Sequence, residues 1–274
     1  MTGPAPASAS GPASGPSSGY VYVADADPGR MAGAEAGRRV ANPDPEPPYI
    51  VATRSLGGLT VWNWPGRLFR VEVVPPEDER WRERIDRANA ELVPEAGYTR
   101  AMSVDVVAEL PVSALFGPHG ERVAEVIEAT RGLTQERAER LASARHPGAG
   151  EAYSAAWDRW LAAQPNPGPY LGTPHEGVTA IPGARAIGTA ASPVGSGFTA
   201  VYRMAWLAAR SRGRPGIAVV VEDGETEEYF EPPWRRAFLA AVEAAMAFGA
   251  PHLVEGGEAG VLTAAWDAAV TGDR

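Results

Sequence analysis

The feature that most constrains this chain is a change of hydrophobic period near residue 116. Before it, apolar residues alternate in short runs. After it, they recur every three to four residues. Period-two runs bury one face of a strand, and a 3.6-residue period buries one stripe of a helix. The pattern predicts an α+β fold, with a small β-rich domain over 20–115 and a mainly α-helical region over 116–274.

Strands are expected at Tyr20–Val23, Tyr49–Thr53, Leu59–Trp62, Leu68–Val74 and Ser103–Leu110, where β-branched and aromatic residues gather. Between them, Trp81, Ile85, Ala88 and Leu92 share one face of a helix over Pro76–Leu92. On it, Asp78–Arg82 and Glu83–Arg87 have the spacing of i,i+4 ion pairs. Beyond 116 the period predicts six amphipathic helices and one short strand, Ile217–Val221. The helix Glu151–Ala163 presents Trp157 and Trp160, at least one of which is expected to be buried.

Residues 1–19 are Ser, Ala, Gly and Pro around almost nothing apolar and large, which predicts a disordered tail. The chain has 31 Gly and 26 Pro, so long loops are expected. The longest, 164–197, is Pro/Gly-rich and reads as a functional or interaction loop. The alanine richness and the use of arginine for every cation read as coding bias.

Composition removes whole classes of chemistry. With no cysteine there are no thiolate nucleophiles, thiolate metal sites or disulfides. With no lysine there is no Walker-A lysine, no Schiff base and no lysine general base. The net charge of −9 opposes binding to nucleic acid or anionic membrane. Arg203, Arg210, Arg212 and Arg214 form the one basic run, offset by Glu222, Asp223, Glu225, Glu227 and Glu228. No secretory signal or membrane span is read, and the expected location is cytoplasmic. The four histidines are scattered, so no metal site is expected. Val194–Gly197 only superficially resembles a nucleophile elbow and reads as a flexible loop. Gly117–Gly120 reads as a turn into a helix, with an anion-binding helix start as the alternative.

Two segments are candidates for ligand contact. Trp62 and Trp64 flank Asn63, a pattern that suits a stacking platform for a planar ligand or a tryptophan pinning a loop to the core. Arg100 and Ser103 enter the last strand of the first region, where they hold an anionic group or form a polar strand face.

The run Gly66-Arg67-Leu68-Phe69-Arg70-Val71-Glu72-Val73, followed by an acidic stretch, then Tyr98–Ala101 and Ser103–Glu109, resembles part of the small bacterial ADP-ribosyltransferases of the rifampicin-modifying kind. Tyr20–Pro28 resembles that family's first strand, and Tyr49-Ile50-Val51-Ala52 its second. The resemblance spans 20–115 and nothing beyond. It implies NAD as cofactor, with Tyr49 stacking on nicotinamide. It also requires a carboxylate to stabilise the oxocarbenium-like centre as nicotinamide leaves, for which Glu72 and Glu109 are the candidates. Neither aligns with the family's acidic position. The family's ribose-binding histidine is replaced by Val23, which implies an altered or lost activity. The partner is then a small molecule. The alternatives are a non-catalytic interaction protein, with a protein partner on its helical half, and an accessory enzyme of a biosynthetic pathway.

Overall fold

The computed structural model describes residues 18–92, 97–163, 193–211, 216–222 and 225–271. It is α+β. Six antiparallel strands come first: β1 (Ser18–Ala24), β2 (Arg39–Ala41), β3 (Ile50–Thr53), β4 (Gly66–Val74), β5 (Tyr98–Ala101) and β6 (Ser103–Leu110). They form one sheet in the order β2-β6-β4-β1-β3-β5. Helix α1 (Glu79–Ala90) crosses between β4 and β5. Then come α2 (Gly120–Arg131), α3 (Gln135–Ala144), α4 (Ala149–Ala162), α5 (Pro193–Arg210), the hairpin β7 (Ile217–Glu222) and β8 (Glu225–Phe230), α6 (Pro232–Gly249) and α7 (Glu258–Thr271).

Each face of the large sheet has its own core. On one, Val21, Val23, Ile50, Ala52, Phe69, Val71, Val104 and Val106 pack together under Met31 and Ala34 of the β1–β2 connection. On the other, Leu68 is buried against the helices, with Tyr20, Tyr22 and Leu110 half-buried beside it. Val61, in the loop before β4, joins the same core as Phe116, Val126, Trp157 and Met246. Sheet and helices therefore share one hydrophobic interior across residue 116.

At the centre lies α6. The sequence suggests one core face through Phe238, Val242, Ala245 and Met246. Those four are buried, but so is nearly every residue from Trp234 to Gly249. The helix touches α2, α3, α4, α5 and α7, and a helix wrapped on all sides is apolar all round. Ala237, Ala240, Ala241, Ala244, Ala245 and Ala247 let five neighbours approach it closely. Its alanines are thus structural as well as compositional.

Other expectations need correction. Leu59–Trp62 is irregular backbone rather than a strand, and its Leu59 carbonyl accepts a hydrogen bond from the Ser196 hydroxyl. β2, β5 and β8 have no strong hydrophobic alternation and were not expected as separate strands. Ser18 and Gly19 belong to β1, paired with Glu72 and Val71; the rest of the expected tail lies outside the described residues. So does 164–192 of the expected loop, while 193–197 opens α5. Ser196 is accordingly a buried helical residue and not part of a flexible loop. Trp157 and Trp160 are both buried, edge-on at 5.3 Å.

Candidate functional site

Helix α1 begins at Asp78, whose carboxylate accepts from the amides of Arg80 at 2.8 Å and Trp81 at 3.2 Å. This cap occupies the carboxylate expected to pair with Arg82, which instead donates to the Pro76 carbonyl. Nor does an ion pair join Glu83 to Arg87 among the described residues. The apolar stripe works as expected: Ile85 and Ala88 are buried, and Trp81 and Leu92 half-buried. At the far end, Asn89 clamps β5. Its Nδ2 donates to the Arg100 carbonyl at 2.9 Å, and its Oδ1 accepts from the Arg100 amide at 2.8 Å. The Arg100 side chain returns a bond from Nη1 to the Ala88 carbonyl at 2.7 Å.

Across from α1 runs the segment before β3. Asn42 is buried and holds it, its Nδ2 donating to the carbonyls of Glu46 and Pro48, both at 3.3 Å. The space between is a cleft of about 800 Å³, lined by Pro47, Pro48, Tyr49 and Val51 on one side and by Arg80, Glu83, Arg84, Arg87 and Glu91 of α1 on the other, with Arg100 at β5. Four guanidinium groups face two carboxylates there, in a chain whose net charge is −9. Arg84 Nη2 pairs with Glu46 at 2.5 Å. The Tyr49 hydroxyl beside it, and then Glu46, raise the Arg84 pKa, so this cation stays charged at any working pH. The side chains of Arg80 and Arg87 are exposed and make no hydrogen bond or ion pair among the described residues. They are free to reach a ligand.

The seven residues singled out from the sequence scatter differently. Tyr49 and Arg100 meet in this cleft. Ser103 is half-buried in β6, opposite Ala41 and Val74. Trp62 is 53% exposed and lines no part of the cleft. Trp64 tilts against Phe116 at 5.9 Å and donates from Nε1 to Glu128 at 3.0 Å. It pins its loop to the helices, so the two tryptophans form no joint platform.

The two candidate carboxylates stand apart from Tyr49 and from each other. Phe69 and Val71 face one core, so Glu72 points to the opposite face of the sheet, across from Asp105. Glu109 stands opposite Phe69, on that residue's face. It receives a two-pronged bond from Arg67 at 2.9 and 2.6 Å. Arg67 holds the Glu109 carboxyl below the usual range. β4 and β6 are two and three strands from β3, or roughly 10 and 14 Å at ordinary strand spacing. The carboxylates lining the cleft are Glu83 and Glu91. Val23 is buried in the sheet core.

Sequence reasoning missed Arg80, Arg84 and Arg87. Their signal was the i, i+4, i+7 spacing of three cations on one side of α1, which reads equally well as a solvated face.

Other motifs resolve into structure. Gly117 has φ +86°, and a Cβ there would lie 2.0 Å from the Gly249 carbonyl oxygen; one on Gly120 would lie 1.8 Å from that of Ser113. Those glycines serve close chain packing at the turn into α2. Among the described residues, no group of three His, Cys, Asp or Glu is placed to hold a metal, and no helix is long and apolar enough to cross a membrane. In comparisons with known proteins, no family model, curated protein or solved structure matches the chain.

Proposed function

We propose that the cleft between α1 and the β3–β5 edge binds NAD or a closely similar dinucleotide, in an ADP-ribosyltransferase-like module whose transfer activity is altered or lost. One observation carries this reading: Tyr49 and Arg100 come together in one cleft with Arg80, Arg84 and Arg87. Guanidinium groups bind phosphate oxygens in two-pronged fashion, which suits a pyrophosphate. The Tyr49 ring offers a stacking surface for a planar base. The volume falls within the range of roughly 300–1,000 Å³ usual for small-molecule sites.

Binding has better support than transfer. Glu72 and Glu109 are remote from Tyr49, and Val23 offers no polar atom to a ribose. Any carboxylate assisting nicotinamide departure would come from Glu83 or Glu91. A non-catalytic interaction protein is the second reading, favoured by the exposed valines 219–221.

Calorimetry with NAD on the full chain tests the proposal. Binding at millimolar affinity or tighter is expected, weakened by both Tyr49→Ala and Arg87→Ala. Nicotinamide release, measured alongside, distinguishes an active from a degenerate transferase. Absence of heat with NAD, or binding indifferent to both substitutions, overturns the proposal and favours the interaction protein.

A further inference from the structure

The hairpin β7–β8 is fixed at its base and bare beyond it. The Glu231 amide donates to the Gly216 carbonyl at 2.9 Å, closing the base. Gly216 lies so close to α5 that an added Cβ would sit 2.8 Å from that of Ala209. Phe230 packs edge-on against Trp206 at 5.2 Å. Further out, Val219, Val220 and Val221 are 58, 45 and 68% exposed. They are consecutive, so apolar surface shows on both faces of the strand.

The small sheet has only these two strands, so each keeps one edge of backbone donors and acceptors without a sheet partner among the described residues. The two edges differ in chemistry. β8 carries Glu225, Glu227 and Glu228, and charge of that kind discourages strand addition. β7 carries no charge and no proline from Ile217 to Val221. Its own sequence thus lacks the protection that charge or proline gives a strand edge.

We propose that two copies of this chain associate by antiparallel pairing of β7 with β7, giving a four-stranded sheet in the order β8-β7-β7-β8. A strand that is apolar along its length is self-complementary about a two-fold axis. Centred on Val219, the pairing sets Ile217 opposite Val221, and Ala218 opposite Val220, of the second copy. It also sets Glu222 opposite Gly216, so no two carboxylates meet. Charge selects this edge over the other. In the proposed sheet the two β8 strands lie about 14 Å apart, beyond the Debye length of ~8–10 Å at physiological salt. Pairing through β8 would bring glutamates of two chains, each of net charge −9, to roughly 5 Å from one another.

The chain's freedom from cysteine supplies a direct test. Sedimentation of the full chain from micromolar to submillimolar concentration should show a reversible monomer–dimer equilibrium. Val219→Glu should abolish it without shifting the unfolding midpoint. Under mild oxidation Val219→Cys should give a disulfide-linked dimer, whereas Val107→Cys, exposed on β6, should not. In the unaltered chain, amide exchange within 217–221 should slow as concentration rises, a readout that needs no variant. A monomer at every concentration, a dimer that survives Val219→Glu, equal cross-linking from both cysteines, or exchange in β7 independent of concentration each overturns the proposal.

Discussion

Asn89 brackets the backbone of Arg100, donating to its carbonyl and accepting from its amide. One side chain thereby replaces the strand partner that β5 lacks on its outer edge among the described residues, and fixes the angle of α1 over the cleft. Asn89→Ala leaves both backbone groups of Arg100 unpaired in a half-buried position. The expected cost is ~1–3 kcal/mol, read as a lower urea midpoint with unchanged slope. On the proposed function, NAD affinity should fall in parallel, because Arg80, Arg84 and Arg87 would lose their setting. Unchanged stability would show that water replaces the clamp without loss.

Trp157 and Trp160 are 4% and 6% exposed, and Tyr153 packs edge-on against the first at 6.2 Å. Each truncation to alanine should cost ~3–5 kcal/mol. Because the two rings touch, the double variant should depart from the sum of the singles. Denaturant titrations of the three variants measure both effects. Near-neutral single variants would mean that α4 is not a core helix.

Arg145 and Glu243 form an ion pair at 2.5 Å with side chains 7% and 1% exposed. Glu243 sits midway along the buried α6, where only a paired charge is tolerable. Glu243→Gln keeps the shape and removes the charge, leaving the guanidinium under-compensated in the interior. Losing one partner of a buried pair typically costs ~3–5 kcal/mol. Replacing both by Met and Leu should cost less than the single change. A milder single than double variant would contradict this account.

Glu258 accepts bonds from Arg159 at 2.7 and 2.9 Å and from the Glu255 amide at 2.8 Å. Arg159 first, then that amide, pull its pKa down to about 2. A depressed carboxyl pKa stabilises the fold in full above the unfolded value of ~4.3, and that contribution fades as pH falls towards the folded value. The stability difference between the natural chain and Glu258→Gln should therefore be constant at neutral pH and shrink steadily below pH ~5. A difference independent of pH down to the acid limit would remove Glu258 as its source.

The large elements were legible because burial is one-sided in them. Val123, Val126, Ile127 and Thr130 make the expected stripe on α2, and all four are buried. α6 was legible as a helix through Phe238, Val242, Ala245 and Met246, but its burial on nearly every side was not, because the alanines that cover the remaining faces carry little hydrophobic signal. β8 eluded the pattern because its glutamates mask the strand signal of Tyr229 and Phe230. The cleft was half legible. Tyr49 and Arg100 stood out through a family resemblance, but the arginines of α1 had nothing in their spacing to separate a ligand-facing row from a solvated one. Trp64 could be read two ways until Glu128 and Phe116, far away in sequence, were seen beside it.

Val61 and Leu68 are fully buried in the core that the helices build. A fragment ending near residue 116 would therefore present to water Tyr20, Tyr22 and Leu68, on one bare face of a six-stranded sheet, together with Val61 of the loop before β4. Such a fragment is a candidate for aggregation rather than for independent life. On the ribosome the sheet-forming half emerges first, so it must await its cover. Synthesis of the helices is then a step in the folding of the strands, and the two halves are expected to be inherited and lost together.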